Sequence, residues 1–115
     1  MIKIQSLNQK EQFRKILGKK KLNNNYFTIY FGKNIYELNK NNNKLNISFI
    51  MKKKIGNAVK RNKIKRRLKN MTNDAIKKIS INFNYSYLVI AKNKVLSDEY
   101  ENIKKTLFAN FERIK

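Results

Sequence analysis

The chain contains no cysteine and no histidine. Without thiols there is no disulfide framework and no thiolate metal site, and without imidazole there is neither histidine ligation of a metal nor a Ser/His or Cys/His nucleophile pair. Proline is also missing, so glycine, asparagine and charge have to mark the segment boundaries. Acidic residues are scarce, seven against 28 lysines and arginines. Glu11, Glu37, Asp74, Asp98, Glu99, Glu101 and Glu112 are mostly scattered, which disfavours the clustered carboxylates of a two-metal nuclease. Apolar runs fall short of the roughly 18 residues that span a bilayer, and the N-terminus lacks a signal-peptide core, so no membrane role is expected.

What is present is positive charge, a formal +21 over 115 residues. A folded chain carrying it spreads much of it over the surface and calls for an anionic partner, for which nucleic acid is the leading candidate. Seven phenylalanines and six tyrosines separate the sequence from a disordered basic tail. Its length suits one domain, residues 1–115. Asparagine runs at 23–25 and 41–43 fall where loops are expected and read as compositional bias.

A coarse pass predicts the elements. Asn8 with Glu11 three residues later starts a short helix that carries Phe13, Ile16 and Leu17 on one face. Tyr26 to Phe31 is a strand with Phe27, Ile29 and Phe31 on one side and Tyr26, Thr28 and Tyr30 on the other, and it can resume near Ile35 to Leu38. Leu45, Ile47, Phe49 and Met51 alternate with Asn46, Ser48, Ile50 and Lys52 in a second strand. Gly56 and Asn57 open a helix, with Asn57 as N-cap and Ile64, Leu68, Met71, Ala75 and Ile79 on one stripe; a break is expected near Thr72 to Asp74. Tyr85 to Ala91 reads as a buried central strand. Ser97 then caps a last helix striped by Tyr100, Ile103, Leu107, Phe111 and Ile114. The order α-β-β-α-β-α gives an α+β class, a small two-layer α/β sandwich with helices on one face of the sheet and the other face available.

Function concentrates in residues 52–69, more than half of them basic, and within them in the string KKIGNAVKRNKIKR from Lys53 to Arg66. On a helix, Ile64 and Leu68 form a narrow core-facing edge. Arg61 flanks it on one side and Lys60 and Arg67 on the other, while Asn62, Lys65, Arg66 and Lys69 spread over the outer surface. A merely solvated helix would intersperse glutamates, yet no acidic residue occurs between Glu37 and Asp74, so the like charges repel until an anion binds. Gly56 permits close backbone approach, and the first-turn N–H groups favour phosphate.

This string, with the preceding strand, resembles the signature of the bacterial ribonuclease P protein family: a lysine pair, Gly-Asn-Ala-Val, and an Arg-Asn-Arg core followed by Ile-Lys-Arg, the RNR helix. Phe13, the Tyr26 to Phe31 strand, Leu88-Val89-Ile90-Ala91-Lys92 and the closing helix with Tyr100 and Leu107 are collinear with it. Lys63 stands where the family usually has its second arginine, which keeps charge but loses a bidentate fork, and Leu17 stands where a second aromatic is common. The resemblance implies a left-handed β-α-β crossover through the RNR helix, against the usual hand. It implies a protein subunit of a ribonucleoprotein endoribonuclease that removes the 5′ leader of precursor tRNA, with the catalytic site in the RNA, Mg²⁺ bound mainly by RNA and substrate, and a bacterial cytoplasmic setting. RNA contacts are then expected from Lys53, Lys54, Asn57, Arg61, Asn62, Lys63, Lys65, Arg66 and Arg67. The single-stranded leader is expected on Phe13, Phe27, Lys52 and Lys92, with Tyr26 or Tyr30 as further aromatics, since bases stack on rings and lysines follow a backbone. The partners the resemblance implies are the catalytic RNA and precursor tRNA, and no obligate protein partner is expected. A ribosomal or other structural RNA-binding protein would share the size and charge but not the string. A helix-turn-helix lacks its first helix here.

Overall fold

The computed structural model describes residues 3–5, 20–33, 44–81 and 85–114. Five strands form one sheet: β1 (Lys3–Gln5), β2 (Lys20–Asn23), β3 (Phe27–Lys33), β4 (Lys44–Met51) and β5 (Tyr85–Ala91), in the order β1-β4-β5-β3-β2. β4 pairs parallel with β1 and with β5, whereas β3 runs antiparallel to β5 and β2. Among the described residues three helices follow or join the strands, α1 (Ala58–Lys78), α2 (Lys94–Ser97) and α3 (Tyr100–Arg113). Because β4 and β5 are parallel neighbours and α1 lies between them in sequence, the chain makes the expected β-α-β crossover.

The central position of β5 follows from its composition, since Ser86, Tyr87, Leu88, Val89 and Ala91 are all buried. One face of the sheet, carrying Phe27, Ile29, Leu45, Ile47, Tyr87 and Val89, meets the apolar stripes of α1 and α3 in a single core. Tyr87 stacks edge-on against Phe111 at 5.5 Å, and burial pushes its hydroxyl pKa far up, so it stays neutral. The opposite face carries a smaller cluster, Leu88 with half-buried Tyr30, Ile50 and Ile90. The α+β two-layer architecture is therefore as expected.

Several sequence expectations are corrected in detail. The sheet gains two edge strands: β2 has one apolar residue, Leu22, among Lys20, Lys21 and Asn23, and β1 is three residues long, so neither shows a periodicity of its own. Helix α1 runs unbroken through Thr72 to Asp74: Thr72 is buried on the core side, and its hydroxyl is satisfied within the helix by donating to the Leu68 carbonyl (2.8 Å). Ser97 is not the cap of the last helix. It ends the short α2, and α3 starts three residues later after Glu99, with the Asp98 carboxylate accepting from the Glu99 N–H (2.7 Å). Asn24 is more than compositional bias, since its side-chain oxygen accepts from the N–H groups of Tyr26 and Phe27 and closes the β2–β3 turn. The expected N-terminal helix, with Phe13 and Leu17, and the resumption at Ile35 to Leu38 lie outside the described residues.

Candidate nucleic-acid interface

A 3₁₀ turn, Lys53–Ile55, carries the chain from β4 into α1. Gly56 follows at φ 153°, where an L side chain would be strained, and a Cβ there would lie 2.7 Å from Lys60 Cδ. Asn57 caps the helix as expected, its side-chain oxygen accepting from the Lys60 N–H at 3.0 Å. Ile64, Leu68, Met71 and Ala75 are fully buried, so the charged string is pinned by one edge. Lys53, Lys54, Asn57, Lys60, Asn62, Lys63, Lys65, Arg66 and Lys69 are exposed. Arg61 is half-buried, and its Nε has no hydrogen-bond partner among the described residues. Arg67, also half-buried, donates to the Val95 carbonyl (2.8 Å) and lies over the Tyr100 ring at 5.9 Å. The carboxylate on α1, Asp74, is neutralised by Lys104 of α3 at 3.0 Å. Apart from exposed Val59 in the first turn, the outer surface of the helix is thus left mainly to cations and amides.

On the face of the sheet turned away from α1 and α3, open at the end where β4 and β5 stop, a cleft of ≈ 410 Å³ is lined by Thr28 and Tyr30 from β3, Ile90 and Ala91 from β5, Lys52, Lys54 and Ile55 from the entry to α1, and Lys92 and Asn93. Lys52 and Lys92 line the same cleft. The Lys92 ammonium donates to the Asn23 side-chain oxygen (2.7 Å) and the Asn24 carbonyl (2.6 Å), which leaves one of its three protons for another acceptor. The Thr28 hydroxyl also donates to Asn23.

Phe27 does not belong to this surface. It is fully buried among the core residues, because the side of β3 that carries Phe27 and Ile29 is the one the helices cover. Its ring is unavailable for stacking. The open side carries Thr28 and Tyr30, so Tyr30 rather than Tyr26 is the ring at the cleft. Tyr26 donates its hydroxyl to Asp98; that bond raises the tyrosine pKa and holds the Asp98 carboxyl below its ordinary range. Phe13 lies outside the described residues. The sequence reading missed Ile90 and Asn93, and it assigned Lys54 to the helix surface although Lys54 also lines the cleft. The strand alternation held the signal for Ile90, two residues beyond Leu88 on the same face.

A second cleft, between α1 and α2, is lined by Lys63, Arg66, Arg67, Asn70 and Leu96. Among the described residues no three histidine, cysteine or acidic side chains gather where they could hold a metal ion, and no helix is long and apolar enough to cross a membrane.

The family model for ribonuclease P matches residues 1–115. The ribonuclease P protein component of Mesoplasma florum is 37% identical over 97 residues, covering 84% of this chain and 82% of that one. That of Carboxydothermus hydrogenoformans is 32% identical over 110 residues, covering 93% and 88%. The RNase P protein from Thermotoga maritima superposes with a TM-score of 0.77 over 96% of this chain and 98% of that one, and the Staphylococcus aureus protein with 0.72 over 95% and 93%. At 23% and 24% identity, these two likenesses speak for the fold. The family match along the whole chain, together with relatives 37% and 32% identical over most of it, makes this chain a member of the ribonuclease P protein family.

Proposed function

We propose that the chain is the protein subunit of a ribonuclease P particle, a single RNA-binding domain that docks on a catalytic RNA through α1 and holds the 5′ leader of precursor tRNA in the cleft on the open sheet face. The observation that carries this reading is the composition of the cleft. One aromatic ring, Tyr30, two isoleucines, Ile55 and Ile90, and three lysines, Lys52, Lys54 and Lys92, converge there, which suits a single strand whose bases stack and whose phosphates need counter-charge. The exposed Lys53, Asn57, Asn62, Lys63, Lys65 and Arg66 are the proposed contacts to the catalytic RNA, with half-buried Arg61 at their margin. Phe13 is proposed beside the leader on the strength of the resemblance alone.

The described residues of this chain hold no acidic cluster that fits a Mg²⁺ ion. The proposal therefore gives the ion to the RNA and the substrate phosphates, with hydrolysis performed there, and the protein contributes substrate affinity and counter-charge. A cytoplasmic setting accompanies it, since both RNAs are found there.

The test is leader length. In a particle reconstituted with its catalytic RNA, Tyr30→Ala should weaken binding of a precursor tRNA with several leader nucleotides by roughly 1–3 kcal/mol, the worth of one stacked base, and leave a one-nucleotide leader nearly unaffected. Equal weakening of both substrates would remove the leader from this cleft. Cleavage of precursor tRNA by rigorously RNA-free protein would overturn the division of labour.

A further inference from the structure

Residues 92–97 form a wall with two sides. Lys92 and Asn93 line the open-face cleft, and Leu96 lines the second cleft against α1. Val95 between them is fully buried. The segment is tied internally and at its base, with the Val95 N–H donating to the Lys92 carbonyl (3.2 Å), the Leu96 N–H to the Asn93 carbonyl (3.1 Å) and the Lys92 N–H to the Tyr26 carbonyl (2.8 Å). A displacement at Val95 is therefore carried to Lys92.

Arg67 reaches this wall from α1 with a hydrogen bond, beside the apolar packing of Val95 in the shared core. One of its terminal N–H groups donates to the Val95 carbonyl at 2.8 Å, and its guanidinium lies over the Tyr100 ring, 5.9 Å from the centroid. Charge-assisted bonds to a carbonyl are among the stronger hydrogen bonds, and the cation–π contact with Tyr100 is a second tie to the same region. Its neighbour Arg66 is exposed, because one residue is 100° of helix rotation and turns Arg67 toward α2 and α3. Two adjacent arginines of one basic string thus face different partners.

We propose that Arg67 is a positioning residue of the open-face cleft: it holds residues 92–97 against α1 and so keeps Lys92 at the cleft, and it makes no phosphate contact with the catalytic RNA. The proposal rests on the reading of that cleft as the leader site. It assigns a member of the basic string to the substrate rather than to the RNA surface, and to a task performed through Val95 and Lys92.

The experiment compares Arg67→Met with Arg66→Met in the reconstituted particle. For Arg67→Met the slope of log affinity for the catalytic RNA against log salt stays at the wild-type value, while affinity for a long-leader precursor tRNA falls roughly threefold to tenfold, the scale of one lost hydrogen bond, and affinity for a one-nucleotide leader is unchanged. Arg66→Met flattens the slope by about one unit, the signature of a lost phosphate contact, and does not change the preference for long leaders. A slope flattened by Arg67→Met as by Arg66→Met would make Arg67 an RNA contact and overturn the proposal, as would an unchanged slope together with an unchanged leader preference. Should Arg67→Met fail to fold, Arg67→Lys serves. A lysine's single ammonium cannot make both of the guanidinium's contacts, the bond to the Val95 carbonyl and the approach to the Tyr100 ring, so part of the leader preference is lost with the slope intact, and full retention of the preference would overturn the proposal. If the wild-type particle itself shows no leader-length preference, the reading of the cleft fails first and takes this proposal with it.

Discussion

Helix α1 buries Ile64, Leu68, Met71 and Ala75, and helix α3 buries Ile103, Leu107 and Phe111 against the same face of the same sheet. Each even buries one polar residue that bonds back to its own helix, Thr72 to the Leu68 carbonyl and Asn110 to the Thr106 carbonyl. Their outward sides differ. α1 carries nine basic residues and one acidic, whereas α3 carries three basic and two acidic. Glu101 and Lys105 stand four apart on α3, in the order that stabilises an isolated helix, while α1 has no such pair in its first four turns. The core-facing stripe builds the fold and says nothing of function. Function is written on the side that gains nothing from the fold, where like charges are tolerated only because a polyanion can neutralise them.

The comparison is sharpened first by truncating the shared property. Leu68→Ala on α1 and Leu107→Ala on α3 each delete a fully buried side chain, and each should cost roughly 2–5 kcal/mol in urea unfolding. A large difference between the two would mean that the helices do not share the core equally. The next experiment targets what differs. Arg61→Ala and Arg66→Ala should each weaken binding of the catalytic RNA by roughly 1–3 kcal/mol and flatten its salt dependence, while Lys105→Ala and Arg113→Ala on α3 should change neither. If the α3 variants weaken binding as much, net charge rather than the α1 surface holds the RNA.

Much of this was legible before any coordinates, and the exceptions have physical reasons. The stripes of α1 and α3, the cap at Asn57 and the central place of β5 follow from periodicity and side-chain chemistry within a few residues of each element. The orientation of β3 does not. Phe27, Ile29 and Phe31 alternate with Tyr26, Thr28 and Tyr30, both sets can be buried, and only the packing of α1 and α3 decides that Phe27 goes inside and Tyr30 borders the cleft. β2 was illegible because it exists as a partner of β3, paired from Lys20 with Phe31 to Asn23 with Thr28, and needs no apolar face of its own. Arg67 was legible as a cation but not as a strut. Its acceptor, the Val95 carbonyl, lies 28 residues away and is a backbone atom, to which side-chain pattern is blind.

The smallest expected effect concerns the ion pair that joins the two helices. Asp74 on α1 meets Lys104 on α3 at 3.0 Å. The hydrogen bond from Lys104 holds the Asp74 carboxyl below its ordinary range, with Lys77 and Lys78 adding to it, and Asp74 in turn raises the Lys104 pKa. A carboxyl whose folded pKa lies below its unfolded value near 3.8 contributes stability above that pH and loses it as pH falls through the folded value. For Lys104 the sense is opposite: its contribution is complete below the unfolded value of 10.5 and is lost as pH rises through the raised one. The pair is therefore fully engaged near neutrality. Asp98, held low chiefly by the Tyr26 hydroxyl and then by the Glu99 N–H, follows the same acid rule. Between pH 5 and pH 3 the urea midpoint of the wild type should fall, that of Asp74→Asn should fall less, and that of Asp74→Asn with Asp98→Asn least of all. An Asp74→Asn protein with the full acid sensitivity of the wild type would mean that α1 and α3 are joined by their apolar stripes alone.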